Sequence, residues 1–287
     1  MTGSEVDGVA LVDKPQGMTS HDVVAVARRA LGTRRVGHTG TLDPFATGLL
    51  VLLVGHATRL HPYVEGEPKV YEATIRFGVE TDTADPTGAP VREAPLPSAA
   101  RVAEAIAQLT GPIEQVPPAY SAKQVGGVRA HAAARRGDPL VLRPATVVVH
   151  RWDIGAPRGP DLDVRITCGG GTYVRSLARD LGVLSGSAAH LAALRRVRSG
   201  PFDVADATTI DGLREGRATI LPTRAAVPGL PAEQLSDLDT RRVAHGQSVP
   251  ATTSGSRAAL VAPDGALLAI AERDGDSWRP RLVLRAH

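Results

Sequence analysis

A chain of 287 residues, 43% of them hydrophobic, is long enough to bury a substantial core, as one large domain with a small appendage or as two domains. Its one cysteine, Cys168, excludes a disulfide within the chain and a cysteine-rich structural zinc site, and fits a reducing compartment. A formal charge of +3 is too mild to name a partner, no apolar run approaches the ~20 residues that span a bilayer, and the N-terminus carries no basic, apolar leader, so the expectation is a soluble cytoplasmic protein without a membrane partner.

Gly8 to Val12 reads as an opening strand and Asp13-Lys14-Pro15-Gln16-Gly17 as a turn. A helix follows with Thr19 or Ser20 as N-cap, running through Val23, Val24, Val26, Ala27 and Ala30 to a stop at Gly32. The stretch Gly37-His38-Thr39-Gly40-Thr41-Leu42-Asp43-Pro44-Phe45-Ala46-Thr47-Gly48 is a loop rich in glycine and threonine. Behind it the apolar run Leu49 to Val54, closed by Gly55, predicts a buried strand that would hold the loop rigidly. Val70 to Phe77 alternates with period two, which puts Tyr71, Ala73, Ile75 and Phe77 on one face of a half-buried strand.

Thr81 to Gly88 reads as a loop, and a helix is expected from N-cap Ser98 to Leu109. The irregular stretch Val116 to Lys123 runs into a short basic helix ending near Gly137, and strand signals return at Thr146 to His150 and Leu162 to Cys168. The turn Gly169-Gly170-Gly171 opens a helix over Thr172 to Leu181, and a further helix is predicted over Ala188 to Val197. Beyond Leu221, Pro-rich loops and short strands at Ala258 to Val261, Leu267 to Ala271 and Pro280 to Leu284 form a small β appendage. Strands and helices mix without regular βαβ alternation, which predicts an α+β domain with a mixed, largely antiparallel sheet flanked by helices.

Taken alone, an Asp before a Pro is a turn residue bonding its own backbone. Asp43, however, is a lone carboxylate in a glycine-rich loop just before a buried strand, which makes it a candidate nucleophile. A nucleophilic carboxylate must stay ionised, and Arg175, just after the triple-glycine turn, can reach inward to pair with it. Neither a phosphate-binding loop nor a metal-ligand spacing among the nine histidines is present, so no cofactor and no metal are expected. Basic residues gather at Arg28, Arg29, Arg34 and Arg35, at Lys123, Arg129, Arg135 and Arg136, and at Arg195, Arg196 and Arg198, a distribution that favours a phosphate-tracking surface. Aromatic residues, at 3%, are too few for a stacking platform.

The string from Gly37 to Gly48 resembles, almost letter for letter, the active-site motif of the TruB family of bacterial tRNA pseudouridine-55 synthases, whose aspartate attacks the target uridine. Four further motifs match in order between Gly8 and Phe202. Gly171-Thr172-Tyr173-Val174-Arg175 is similar to the family motif whose arginine pairs with the aspartate, and Lys69-Val70-Tyr71-Glu72 to the one whose tyrosine stacks on the flipped base. The resemblance implies a pseudouridine-synthase fold with catalytic Asp43, Tyr71 and Arg175. It also implies Leu194 packing on the base, His38 filling space left by flipped nucleotides, Lys14 supporting the site, and lesser parts for Asp85 and Tyr173. It further implies a catalytic domain over 1–220, with an insertion at about 115–146 that clamps the T-arm through residues such as Lys123 and Arg129, and a PUA-like RNA-binding domain over 221–287. The partner would be tRNA at its T-loop uridine, without guide RNA. A monomer is expected because no exposed amphipathic seam is evident in the sequence. Gln124 and His131 depart from the family's usual wording.

Three other readings stand beside this one: the guide-dependent branch of the same superfamily, an RNA-binding protein with a dead site, and a retaining glycosidase with Asp85 as the second carboxylate. Whether Asp43 would add to the sugar C1′, add to the base, or assist a glycal-forming elimination is open, since all three routes use the same residues.

Overall fold

The computed structural model describes residues 6–64, 66–121, 123–125, 128–130, 133, 136, 138 and 140–284. In chain order its principal elements are β1 (Gly8–Lys14), α1 (Ser20–Ala30), β2 (Val36–His38), β3 (Thr47–Val54), β4 (Lys69–Phe77), α2 (Ala99–Gln108), β5 (Gly111–Gln115), β6 (Ala145–Ile154), β7 (Asp161–Cys168), α3 (Val174–Leu184) and β8 (Ala189–Ser199). The C-terminal part adds β9 (Ala232–Gln234), α4 (Asp237–Ala244), β10 (Val249–Pro250), β11 (Arg257–Val261), β12 (Leu267–Asp274) and β13 (Ser277–Val283). The fold is α+β with mixed sheets, as expected. The chain forms two compact units, one of Met1–Asp43, Leu49–Gly66 and Pro201–His287, the other of Pro44–Gly48 and Glu67–Gly200.

In the first unit β1 lies between β3 and the short strand Thr208–Thr209, and β2 returns antiparallel along β3 with Val36 opposite Val54 and His38 opposite Leu52. The unbroken apolar run of β3 has a simple cause: the strand is covered on both faces. Leu49, Val51 and Leu53 join Val9 and Leu11 in one core, while Leu50, Leu52 and Val54 join Ala10 and Val12 in another beneath Val23, Val24 and Ala27 of α1. Helix α1 starts in a full capping box. The Thr19 hydroxyl accepts from the Asp22 amide, the Asp22 carboxylate accepts from the Thr19 amide, and the Thr19 bonds hold the Asp22 carboxyl below its ordinary range.

The C-terminal strands form a five-stranded sheet in the order β9-β11-β12-β13-β10, with β9 parallel to β11 and the other pairs antiparallel. One face of β11 and β12 extends the core around Val9 and Leu49 through Ala259, Leu267 and Ile270. The other face packs with Trp278 and Val243 of α4. The strands of the appendage were legible in the sequence; α4, β9 and β10 were not.

In the second unit the sheet runs β8-β4-β7-β6-β5, antiparallel throughout, and the N-terminal end of β3 pairs in parallel with β8, Thr47 opposite Arg195 and Gly48 opposite Arg196. Strand β4 buries Tyr71, Ala73, Ile75 and Phe77, as its alternation predicts. Helix α2 begins at N-cap Ser98, whose hydroxyl accepts from the Arg101 amide, also as predicted. The segment Ala188 to Val197, expected as a helix, is instead β8. Its Leu, Ala and Arg residues are good helix formers, but the segment lies between β4 and the end of β3, and ladder pairing on both edges overrides local propensity. Helix α3 starts two residues later than expected and lies close against β8: a Cβ on Gly182 would collide with the backbone of Ala188 and Ala189. The basic helix expected to end near Gly137 lies largely outside the described residues.

The C-terminal sheet is closed by a buried carboxylate. Glu233 on β9 is 3% exposed and accepts from the amides of Thr252 (2.9 Å) and Thr253 (2.8 Å), from both threonine hydroxyls, and from the Trp278 indole (2.7 Å). Burial pushes its pKa up, but the hydrogen bonds outweigh burial and bring it down from 4.5 to about 2. A depressed carboxyl pKa contributes stability that is present above 4.5 and is lost as pH falls from there through about 2. Glu233→Gln is expected to cost about 2 kcal/mol at neutral pH, the scale of hydrogen bonds to a charged group, and to flatten the acid limb of stability between those two pH values. Chemical denaturation across that range checks it, and identical acid limbs in the parent and the variant would refute the assignment.

Candidate active site

In the first unit, β1 ends at Lys14, whose side chain is fully buried. Its Nζ donates to the carbonyls of Pro15 (3.0 Å) and Met18 (2.7 Å), folding the turn tightly onto the start of α1. A buried ammonium needs such acceptors, so here Lys14 is a structural cation at the entrance to α1. The first residue of α1, Ser20, is buried and grips Leu42: its Oγ accepts from the Leu42 amide (2.9 Å) and donates to the Leu42 carbonyl (3.1 Å). Leu42 is itself buried, and the next residue is Asp43, half-buried. The chain thus runs from Lys14 to Met18, through Ser20, to the residue that presents the carboxylate. Ser20, weighed in the sequence only as a helix cap, is the site residue that sequence reasoning missed. A grip across 22 residues leaves no local signal. His38 sits at the end of β2 opposite Leu52, its ring edge-on to that of His21 at 5.8 Å between centroids.

In the second unit, the register between β4 and β8 sets Arg196 opposite Tyr71 and Leu194 opposite Ala73. Directly opposed residues share a face, so Tyr71, Leu194 and Arg196 lie together on the buried face, with Tyr71 and Leu194 as diagonal neighbours. The opposite face carries Glu72, which accepts from Arg165 (2.9 Å). Strand alternation therefore sets Arg195 of the expected cluster on the face opposite Arg196, and the register shift between Arg196 and Arg198 takes Arg198 out of that alternation. Arg196 is 2% exposed and turned into the face that holds Tyr71, while Arg198 is exposed. As a three-residue phosphate-tracking surface the cluster does not hold. Lys69 lies two residues before Tyr71, and burial together with the charge of Arg196 holds its amine below the ordinary lysine value.

Arg175, in the first turn of α3, is 4% exposed. Its Nη1 donates to the Thr83 carbonyl (3.0 Å) and lies 3.6 Å from Asp85 Oδ2, while Nη2 donates to the Tyr120 carbonyl (2.7 Å). Asp85 is buried in its own loop, its Oδ1 accepting from the Thr83 hydroxyl (2.7 Å), the Thr87 amide (2.9 Å) and the Thr87 hydroxyl (2.6 Å). A carboxylate so engaged orients Arg175 and is poorly disposed to act as the second carboxylate of a glycosidase. Ala84 in this loop has φ 56, a left-handed conformation that side chains other than glycine seldom adopt, and its carbonyl accepts from the Leu191 amide (3.1 Å). Tyr173, half-buried, is the N-cap residue of α3.

Lys123 is exposed, and Arg129 lies on the short hairpin of Gln124–Val125 with Val128–Arg129; Arg135 and His131 lie outside the described residues. Arg28 and Arg29 close the last turn of α1, where cations are favoured, and Arg28 donates to the Val36 carbonyl (3.1 Å). Cys168 is fully buried, and burial pushes its thiol up to about 11, which removes it as a thiolate nucleophile at neutral pH. Among the described residues no group of three or more His, Cys, Asp or Glu side chains is placed to hold a metal ion. No helix among them is long and apolar enough to cross a membrane.

Residues 28–174 match the family model described as TruB family pseudouridylate synthase (N terminal domain). Residues 175–227 match the tRNA pseudouridylate synthase B C-terminal domain, and 230–285 match the tRNA pseudouridine synthase II C terminus. The tRNA pseudouridine synthase B of Thermobifida fusca (strain YX) is 47% identical over 288 residues, covering 96% of this chain and 98% of the relative. The protein of the same name from Symbiobacterium thermophilum is 48% identical over 249 residues, covering 85% of this chain and 83% of the relative. Among solved structures, the crystal structure of a Cbf5-Nop10-Gar1 complex aligns with a TM-score of 0.71 at 25% identity, covering 97% of this chain and 85% of that one. The family models follow one another along the chain and the identities hold over nearly its whole length: the chain belongs to the TruB family of pseudouridylate synthases.

Proposed function

We propose that this chain isomerises the T-loop uridine at position 55 of tRNA to pseudouridine, with Asp43 as the nucleophile. The observation that carries the reading is the seat of the Asp43 loop. Ser20 grips Leu42, the residue before Asp43, through both main-chain groups. Within the second unit, Thr47 and Gly48 pair with β8, where Gly48 has φ +100 and a Cβ would fall within the van der Waals surface of the Arg196 backbone. A carboxylate whose preceding residue is fixed in this way is preorganised, as attack at a fixed carbon requires. Curated relatives named tRNA pseudouridine synthase B support tRNA as the substrate.

The reaction breaks the bond from C1′ to N1, turns the base over and joins C1′ to C5; N1 gains a proton and C5 loses one. Atoms and electrons balance within the uridine, so no cofactor enters. In this reading Arg175 keeps Asp43 ionised, and Tyr71 and Leu194 hold the extruded base. The buried face shared by Tyr71 and Leu194 suits a detached uracil, which needs an apolar surface and a ring to stack on. Lys14, His38, Asp85 and Tyr173 shape the site around them. Lys123 and Arg129, on the 115–146 insertion, contact T-arm phosphates, and residues 221–287 contribute an RNA-binding domain; no guide RNA takes part.

Release of tritium from T-arm RNA labelled at uridine C5 tests the reaction. The parent chain is expected to release label without any added cofactor, and Asp43→Asn to lower the single-turnover rate by about 10³-fold or more. Parent-like release by that variant would remove Asp43 from the chemistry. Gly48→Ala, which sets a Cβ against the Arg196 backbone of β8, is expected to slow the same step by ~10- to 100-fold, the cost of a displacement of about an ångström, while RNA affinity in a filter-binding assay stays near that of the parent.

A further inference from the structure

We infer that Gln115 is a positioning residue for Arg175, fixing the start of α3 from outside the helix; the inference rests on the role proposed above for that arginine. Helix α3 begins at an N-cap, Tyr173, that makes no side-chain capping bond, its carbonyl accepting the first helix bond from the Leu177 amide (3.1 Å). The anchor comes from β5. Gln115, the last residue of that strand, is 1% exposed; its Oε1 accepts from the Tyr173 amide (2.8 Å) and its Nε2 donates to the Tyr173 carbonyl (3.2 Å). The side-chain amide thus pairs with both main-chain groups of one residue, as a neighbouring strand would.

The same stretch of chain continues the attachment. The Val116 carbonyl accepts from the Ser176 hydroxyl (2.8 Å) and from Arg179 Nη2 (3.1 Å), and the Tyr120 carbonyl accepts from Arg175 Nη2 (2.7 Å). The first two turns of α3 are therefore registered against residues 115–120, and Arg175 is two residues from the point where Gln115 holds the main chain. The planar guanidinium meets fixed carbonyls at Thr83 and Tyr120, so a small shift of its Cα turns the fork away from whatever it must stabilise. Only a neutral amide supplies the required donor and acceptor side by side at this buried position. Glutamate would retain the bond from the Tyr173 amide but set a charge against the Tyr173 carbonyl, and methionine would fill the space and make neither bond, leaving that carbonyl its helix bond from Leu177 alone among those described.

The test is a double-mutant cycle on single-turnover pseudouridine formation, with RNA affinity and thermal unfolding measured in parallel. Gln115→Met is expected to slow the rate by ~10- to 100-fold with affinity for T-arm RNA changed by less than about twofold, and to slow it no further once Arg175→Ala is present. Gln115→Glu provides a second variant that keeps one bond: the ratio of parent to variant rate should narrow as pH falls toward the carboxyl pKa, because protonation restores the donor to the Tyr173 carbonyl. If Arg175→Ala slows the reaction and Gln115→Met slows it by the same factor in both backgrounds, Gln115 is merely structural and the inference fails while the role of Arg175 stands. If Arg175→Ala leaves the rate unchanged, the role of the arginine falls and the inference with it.

Discussion

The second unit is organised around one costly act, the burial of the Arg175 guanidinium. A cation 4% exposed is tolerated only where acceptors surround it, and here they come from two stretches far from it in the chain: the Thr83 carbonyl and Asp85 carboxylate of one loop, and the Tyr120 carbonyl. Each is itself held. The Asp85 loop is closed by its own threonines, including Thr81, whose hydroxyl donates to the Asp85 carbonyl at 2.7 Å. Removing any one of these supports would leave a buried charge under-satisfied. The loop at 83–87, the segment 115–120 and the start of α3 therefore hold their relative places together.

The Asp43 loop is held by a different device. It leads into β3, which is covered on both faces. What Asp43 requires from the first unit is a grip on the residue before it, and Ser20 gives it at Leu42. Anchoring through the main-chain groups of Leu42 fixes the backbone that carries Asp43, which is what a carboxylate used for chemistry requires.

Much of this was legible in the sequence, and the reasons are local. The capping box at Thr19, the alternation of β4, the apolar run of β3 and the cap at Ser98 are signals that the observed elements obey. The motif around Asp43 was visible for the same reason, being contiguous. The rest depends on partners distant in sequence: Ser20 with Leu42, Gln115 with Tyr173, Asp85 with Arg175. The reading of Ala188 to Val197 as a helix failed because the intrinsic preference of Leu, Ala and Arg was judged without the two strands that flank the segment.

That failure bears directly on function. On a helix, Leu194, Arg195, Arg196 and Arg198 would spread around the cylinder, and the arginines would read as one solvated basic face. On a strand, successive residues oppose one another, so Leu194 and Arg196 turn to the buried face beside Tyr71 while Arg195 sits with Glu72 on the other. The bulge between Arg196 and Arg198 then offsets Arg198 from that alternation, leaving it exposed with its Nε donating to the Gly200 carbonyl (3.0 Å). One run of basic residues thus supplies a buried cation next to the candidate base-stacking tyrosine and an exposed cation at the strand's end. Charge clusters read from sequence carry functional meaning only once the period of the element that bears them is known.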